Sequence, residues 1–357
     1  MPGAWNSSDA ARETPDEPLV VRAQAPDVLP PLPETGGLTW RALTPADAED
    51  LTTFIAHIEE VDNPPYRTSP EEVADYFDDE GHDYSGIGGF DADGILHAFA
   101  FARLRRADAE IKRVFISGGL EPSLRDQGIG SAVLDWQIAR ARQILARADG
   151  ADDPVARGRL LLHVDDDQTS LVRLLTTRGF TEARHYSQMR RDLSRPIPEV
   201  AVEWPLTVEP WTPALDDAVR RAHNAAFHDL WGAQPLSPQD WQAERAHHVP
   251  EWSFVALDRS SDRAQVAGYL MSGRYEQDWH ALGWTEGYTE ILGVLPAWRG
   301  RHVASGLLAH AMRAYAADGM QYAGLDVDAD DPSGAIGLFE HLGYERVRGS
   351  VVYTLEV

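Results

Sequence analysis

The chain contains no cysteine, which excludes disulfides, thiolate metal sites and a cysteine nucleophile. Positive charge is scarce as well. The 32 Lys and Arg stand against 57 Asp and Glu, a formal net charge of -25, and Lys112 is the single lysine. Such a surface repels phosphate backbones and anionic lipid headgroups, so neither a nucleic-acid nor a membrane partner is expected. It would attract a cationic molecule such as an amine, unless the acidity serves solubility alone.

Long apolar segments are also missing. No run approaches the roughly 20 residues that span a membrane, and residues 1–36 have no apolar stretch behind a basic start, so they do not resemble a secretory signal. We expect a disordered tail over 1–36 and a cytoplasmic protein. The histidines show no metal-ligand spacing, so no metal is expected.

What the chain does have is length and an internal repeat. Its 357 residues favour two domains. Three segments recur in the same order: 38–46 resembles 206–214, 124–131 resembles 298–305, and 174–180 resembles 338–344. Each copy reads as mixed α/β (α+β), with alternating apolar strands, a long amphipathic helix and closing strands. We therefore predict a first domain over 37–195, a linker over 196–204 and a second domain over 205–357.

In each copy a strand leads into a tight loop that contains arginine and opens the long helix. The two loops are Arg125-Asp126-Gln127-Gly128-Ile129-Gly130 and Arg299-Gly300-Arg301-His302-Val303-Ala304. Free N–H groups and the dipole at a helix start hold anions, and glycine lets phosphate oxygens approach the backbone. Arginine adds charge-assisted contacts. A capped turn would give the same short pattern, but the order of elements around both loops indicates a pyrophosphate site.

The first loop matches the acyl-CoA signature of the GNAT superfamily, Gln/Arg-x-x-Gly-x-Gly/Ala, and the second resembles it with His302 in the first Gly position. The resemblance covers about 38–193 and 206–357, in the tandem form that mycothiol synthase and related actinobacterial GNATs share. It implies two tandem GNAT folds, each a twisted, mostly antiparallel sheet that splays at the acyl-CoA site. It also implies acetyl-CoA as the co-substrate.

The resemblance assigns acetyl-CoA contacts to the strand before each loop, to the loop and to the first helical turn. These residues are Ile116, Ser117, Gly118, Arg125, Asp126, Gln127, Gly128, Ile129, Gly130 and Ser131 in the first copy, and Leu292, Gly293, Val294, Arg299, Gly300, Arg301, His302, Val303, Ala304, Ser305 and Asp331 in the second. N–H groups of the strands would bind the carbonyl oxygen. Phe339 and Leu175 occupy the usual position of a tyrosine acid, and neither can donate a proton.

Direct transfer to an amine requires a base. Glu286, Tyr288 and Glu290 alternate along one predicted strand and so share a face, which makes them the predicted catalytic set. The first copy offers only Glu110. A solvated strand face is the alternative explanation for each glutamate. For the acceptor we predict contacts from one aromatic and acidic segment of the second copy: Asn224, Phe227, Asp229 and Trp231.

Together these features predict an acetyl-CoA-dependent N-acetyltransferase that acts on a small amine, as a monomer or homodimer. The second copy would catalyse the reaction, and the first would bind CoA in a structural or regulatory role. A CoA-binding or sensing protein with little turnover is the alternative, which the missing tyrosines favour. Acetylation of protein lysines has less support, because no peptide groove is evident.

Overall fold

The computed structural model describes residues 17–79, 81–106, 108, 111–153, 155–228, 235–243, 245, 247–330 and 334–357. They form two compact units. The N-terminal unit comprises 17–183 and Val351–Val357, and the C-terminal unit comprises Arg184–Ser350. Among the described helices, none is both long and apolar enough to cross a bilayer.

The helices are α1 Leu19–Arg22, α2 Ala48–Asp62, α3 Pro70–Ala74, α4 Ile129–Arg147, α5 Thr169–Thr176, α6 Asp216–Ala226, α7 Pro238–Ala243, α8 Glu276–Leu282, α9 Val303–Ala317 and α10 Ala335–His341. The strands are β1 Thr39–Ala42, β2 His82–Phe90, β3 Leu96–Arg105, β4 Ile111–Leu120, β5 Arg157–Asp165, β6 Thr181–Asp192, β7 Leu206–Pro210, β8 Phe254–Asp258, β9 Gln265–Gly273, β10 Glu286–Val294, β11 Tyr322–Asp328 and β12 Glu345–Glu356.

Both units have the mixed sheet that the repeat predicts. In the N-terminal unit, β1 to β4 pair antiparallel in sequence order and β4 pairs parallel with β5. In the C-terminal unit, β7 to β10 pair antiparallel, β10 pairs parallel with β11, and β11 pairs antiparallel with β6. The parallel pair in each unit is joined through the long helix, α4 or α9, as a crossover connection requires.

The long helices bury the stripes that their periodicity predicts. Leu134, Ala141 and Leu145 of α4 pack against Val114 and Ile116 of β4. In α9, six side chains from Leu307 to Tyr315 enter the core of the C-terminal unit: Leu307, Leu308, Ala309, Ala311, Met312 and Tyr315. This packing fixes the start of each helix beside the end of the strand before it.

The compact units do not coincide with the two sequence copies. Most of β6, from the first copy, belongs to the C-terminal unit, and Val351–Val357, from the second copy, belongs to the N-terminal unit. The expected ranges 37–195 and 205–357 therefore follow the sequence duplication. The compact units differ from them, because the last strand of each copy belongs mostly or in part to the unit of the other copy. Because β6 and β12 hold the same place in the repeat, each presents an alternation that fits either sheet.

The structure also differs from the expected tail over 1–36. Leu19 is fully buried with Leu145, and Arg22 donates to the Ala156 carbonyl. Gln143 Nε2 donates to the Pro26 carbonyl at 2.8 Å. Part of 17–36 therefore lies on the N-terminal unit, because Leu19 and Ala23 are buried and the carbonyls of Ala23 and Pro26 accept hydrogen bonds from α4. The polar composition of the segment gave no sign of these contacts.

Candidate active site

Both loops before the long helices contain two left-handed residues. They are Asp126 (φ 60°) and Gly128 (φ 85°) in the N-terminal unit, and Gly300 (φ 74°) and His302 (φ 59°) in the C-terminal unit. Each loop thus places one glycine and one non-glycine at these positions, in opposite order. A non-glycine here costs about 1–2 kcal/mol, so the shape of the loop is held against local strain.

The helix starts fit a pyrophosphate. α4 begins at Ile129 and α9 at Val303, and neither start receives a hydrogen bond from its N-cap side chain. A Cβ built on Gly128, Gly130 or Gly300 would meet no atom within 4 Å. Uncapped N–H groups beside open space are what a phosphate anion requires at a helix start.

The two loop arginines are differently engaged. Arg125 makes a bidentate pair with Asp62, with both N···O distances at 2.7 Å. Arg299 donates to the carbonyls of Val294 (3.2 Å) and Ala226 (3.4 Å) and forms no ion pair with a described residue. The guanidinium of Arg299 therefore keeps its charge for an anion, whereas Asp62 neutralises much of the charge of Arg125.

The remaining predicted CoA residues lie around these loops. Ile129 and Val303 are buried and anchor their helices, and Ser305 is buried as well. Gln127 donates to the Ser123 carbonyl. Arg301 lies in the second loop. The other predicted positions lie on β4, on β10 and in the first turns of α4 and α9: Ile116, Ser117, Gly118, Ser131, Leu292, Gly293, Val294 and Ala304. Asp331, Asp229 and Trp231 lie outside the described residues.

The C-terminal sheet opens beside the predicted catalytic residues. β10 pairs with β11 only from Glu286 to Thr289, while its pairing with β9 continues to Val294. The register with β9 shifts between Thr289 and Ile291, so Glu290 is the extra residue of a β-bulge. Bulges redirect side chains and are frequent beside active sites.

The bulge places the Glu290 carboxylate in a buried position over β9. A Cβ on Gly273 would collide with it, so glycine at 273 leaves the space that the carboxylate fills. Tyr275 Oη donates to Glu290 Oε1 at 2.8 Å. Glu290 Oε2 is buried and has no hydrogen-bond partner among the described residues. Burial raises the pKa of Glu290, against the hydrogen bond from Tyr275.

Glu286 and Tyr288 share this face, as the alternation predicts. Both side chains lie over Gly324 of β11. Trp284 Nε1 donates to Glu286 Oε2 at 3.0 Å, and burial raises the pKa of Glu286. Burial also raises the pKa of Tyr288 well above its usual value, and hydrogen bonding to Asp326 adds to that. We call the surface formed by Glu286, Tyr288, Glu290 and Asp326 the acceptor face.

Aromatic rings and one arginine border the acceptor face. Tyr275 lies edge-on to Tyr288, with centroids 5.7 Å apart. The Arg190 guanidinium lies over the rings of Trp284 (4.0 Å) and Tyr322 (4.5 Å). Arg190 belongs to β6, so the first sequence copy contributes to this unit's site. The result is a wall of rings beside carboxylates, suited to an amine on an apolar or flat body.

The opposite side of β10 is held by a buried network. Tyr315 Oη is 2.6 Å from Ser272 Oγ and 3.1 Å from Thr289 Oγ1. A Cβ on Gly287 would overlap the Tyr315 ring. These contacts fix the backbone on both sides of the bulge, and thereby the position of Glu290.

The predicted acceptor segment is divided between two roles. The Asn224 side chain accepts a hydrogen bond from the Leu236 N–H at 2.9 Å and donates one to the Leu236 carbonyl at 3.1 Å, so it fixes the backbone at Leu236. Phe227 lies against His223, with centroids 4.8 Å apart, and near Gly293 of β10. Only Phe227, of the described pair, reaches the end of β10.

The positions of the usual tyrosine acid lie in the hydrophobic cores. Phe339 is buried edge-on to Tyr344, with centroids 5.8 Å apart, and Leu175 is fully buried. Both side chains serve packing, as their identity predicts.

The N-terminal unit lacks this arrangement on its corresponding strand. The β3/β4 ladder runs without a shift from Ala98–Leu120 to Leu104–Val114. Arg113 is buried and paired with Asp108 at 2.6 Å, and Gln137 Nε2 binds the Ser117 carbonyl at 2.7 Å. Glu110 lies outside the described residues. No described residue of this strand offers a base comparable with Glu290.

Sequence reasoning missed Tyr275, Asp326 and Arg190. Asp326 carried a signal, because it alternates with Asp328 on a predicted strand that adjoins β10. Tyr275 follows the end of β9, and nothing in the sequence marks its contact with Glu290. Arg190 could not be placed without knowing that β6 joins β11.

Comparison with known proteins agrees with this architecture. Residues 216–344 match the model of the Acetyltransferase (GNAT) family. The mycothiol acetyltransferase of Salinispora arenicola is 27% identical over 279 residues, 73% of this chain and 78% of that protein. That of Kocuria rhizophila is 29% identical over 240 residues, 65% of this chain and 72% of that protein.

Solved structures show the fold. A GCN5-related N-acetyltransferase from Sphaerobacter thermophilus superposes with a TM-score of 0.66 at 24% identity, covering 91% of this chain and 97% of that one. A tandem GNAT protein from the clavulanic acid biosynthesis pathway gives 0.60 at 15% identity, covering 89% and 98%. The molecule therefore has the tandem GNAT fold. The family match and the relatives identify it as an acyltransferase. More particularly, residues 216–344 form a GNAT acetyltransferase domain, and the chain is similar to the mycothiol acetyltransferases.

Proposed function

We propose that the C-terminal unit transfers an acetyl group from acetyl-CoA directly to the amine of a small cationic molecule, with Glu290 as the base. The observation that carries the proposal is the Glu290 carboxylate, which is buried at the bulge with one oxygen held by Tyr275 and the other without a described partner. A carboxylate whose pKa is raised by burial is a better proton acceptor than an exposed one.

In the proposed reaction acetyl-CoA supplies the acyl group, and the loop from Arg299 to His302 would hold its pyrophosphate at the start of α9. The amine would approach from the acceptor face and lose its proton to Glu290, directly or through water. N–H groups of Leu292 to Val294 would stabilise charge on the acetyl oxygen. The departing CoA thiolate would take its proton from water or from the Tyr288 hydroxyl, since Phe339, at the usual position of the tyrosine acid, has no proton to donate.

The acidic acceptor face supports a cationic acceptor. Glu286 and Asp326 flank Tyr288, and the rings of Tyr275 and Trp284 lie beside them. Mycothiol acetyltransferases are the relatives that cover most of the chain, so an amine of the kind they acetylate belongs in any acceptor screen beside simple diamines.

For the N-terminal unit we propose CoA binding in a structural or regulatory role. The open space beside Gly128 and Gly130 supports CoA binding. Turnover is not expected there, because the β3/β4 ladder has no bulge and the buried Arg113 is paired with Asp108. We expect a monomer or homodimer in the cytoplasm.

The acceptor proposal is tested by thiol release from acetyl-CoA over a panel of amines. The panel should contain a diamine, its mono-N-acetyl derivative and an amino sugar. The diamine should give the highest kcat/KM, because its second ammonium group meets the carboxylates of the acceptor face. Equal kcat/KM for the diamine and its mono-N-acetyl derivative would contradict the proposal that the acceptor is cationic. The absence of thiol release with every amine would contradict the proposal that the protein is a working acetyltransferase.

A further inference from the structure

The N-terminal unit has an arginine where the C-terminal unit leaves space for its base. Arg103 lies opposite Phe115 in the β3/β4 ladder, as Gly273 lies opposite Tyr288 in the β9/β10 ladder. Val114, beside Phe115, packs toward α4. Arg103 and Phe115 therefore occupy the face of the N-terminal unit that corresponds to the acceptor face.

The Arg103 guanidinium is half-buried without a partner. Its Nε is buried and donates to no described acceptor, and the side chain forms no ion pair with any described residue. Asp75 and Asp78 act on it only at longer range, and Asp78 Oδ2 is 2.9 Å from His82 Nδ1. A cation partly withdrawn from water is unfavourable when no carboxylate contacts it, so the guanidinium can be stabilised by an added carboxylate.

Aromatic rings surround this cation. Its Cζ lies 5.5 Å from the centroid of Tyr76, which stacks on Phe101 at 4.9 Å. Tyr84 lies opposite Arg103 on β2, and Phe115 on β4 is 38% exposed. A flat apolar body on this face can contact the Tyr76 ring and the side chains of Tyr84 and Phe115 on the two neighbouring strands.

We propose that this face of the N-terminal unit binds a small aromatic carboxylate, with the carboxylate on Arg103 and the ring among Tyr76, Tyr84 and Phe115. The planar fork of arginine matches a carboxylate. Asp75 and Asp78 disfavour a more highly charged anion such as phosphate. The site does not depend on which unit transfers the acetyl group.

Benzoate and its neutral analogue benzamide test the site in the full-length protein by calorimetry or ligand-observed NMR. Benzoate should bind at least about tenfold more tightly than benzamide, because only benzoate pairs with the guanidinium. Inorganic phosphate should not compete. Equal affinities for the two ring compounds, or displacement of benzoate by phosphate at equal concentration, would overturn the assignment.

Arg103→Met separates a ligand-binding arginine from a structural one. It should abolish the preference for benzoate and raise the Tm of the ligand-free protein, because it removes a buried charge without a partner. Arg195→Met, which removes an exposed arginine paired with Glu345, is the matched control and should change neither. Phe115→Ala should weaken benzoate severalfold at unchanged Tm. Unchanged benzoate affinity in Arg103→Met, or a lower Tm, would refute the proposal.

Discussion

The two units keep the same loop before the long helix and differ on the face beyond it. In the C-terminal unit a bulge places Glu290 over Gly273. In the N-terminal unit the ladder is unbroken and Arg103 fills the corresponding position. One inserted residue and one glycine thus distinguish a face with a buried carboxylate from a face with a half-buried guanidinium. After duplication the loop before the long helix has been retained, whereas the chemistry of the other side has diverged.

The largest effect is expected when the Glu290 carboxylate, which distinguishes the C-terminal unit from the N-terminal one, is removed. Glu290→Gln keeps the shape of the bulge but cannot accept a proton, so kcat/KM should fall by about 100- to 10,000-fold. Thiol release under saturating acetyl-CoA measures this. Glu203→Gln, at an exposed glutamate of the same unit, should behave like the wild type. A loss below about threefold would return the role of base to Glu286 or to water.

The second prediction separates the two loops. Gly300→Glu places a negative charge and a strained residue at the start of α9, and should lower kcat/KM on the order of 100-fold by excluding the pyrophosphate. Gly128→Glu should remove one CoA site and leave turnover largely intact. Calorimetry would count the sites, and a coupled assay would follow turnover.

Matched controls exist for both variants. Gly319 and Gly150 also have positive φ (81° and 76°) and open surroundings, and each lies beyond the end of a long helix. Gly319→Glu and Gly150→Glu therefore reproduce the backbone strain without an anion site. Activity that disappears with Gly128→Glu but survives Gly300→Glu would reverse the proposed roles of the units.

The repeat, the loops and the shared face of Glu286, Tyr288 and Glu290 could all be predicted, because each depends on local periodicity or on a short pattern. The exchange of β6 and β12 could not, since duplicated strands carry equivalent alternation. The bulge at Glu290 could not be predicted either. The alternation of polar and apolar residues along β10 is the same whether or not its pairing with β9 shifts by one residue. The consequence of the bulge, the placement of the Glu290 carboxylate over β9, depends on Gly273 in another strand.

The third prediction concerns pH. The amine and Glu290 must both be deprotonated, so kcat/KM should rise between about pH 6 and 9. Burial keeps the pKa of Tyr288 well above its usual value, so no fall from this group is expected in that range. Tyr275→Phe removes the hydrogen bond that lowers the pKa of Glu290. The acidic limb should therefore move to higher pH, with a loss on the order of tenfold near neutrality, about 1.4 kcal/mol.

Tyr288→Phe serves as the control for that shift, because Tyr288 does not bond to Glu290. It should lower the rate without moving the acidic limb. If Tyr275→Phe lowers kcat evenly at every pH, the Tyr275 hydroxyl acts through packing alone.

The smallest effect is expected when the non-glycine left-handed residue of each loop is replaced by glycine. His302 and Asp126 hold left-handed conformations that glycine adopts without strain. His302→Gly and Asp126→Gly should each raise the free energy of unfolding by about 1 kcal/mol, less the added entropy of the unfolded chain. His302→Gly should also tighten CoA binding, because it clears a side chain from the start of α9. Gln24→Gly, at an exposed left-handed residue that belongs to neither loop, should share the gain in stability and leave CoA affinity unchanged. Weaker CoA binding in His302→Gly would mean that the imidazole contacts the pyrophosphate, and the C-terminal loop would then use His302 where the N-terminal loop uses Gly128.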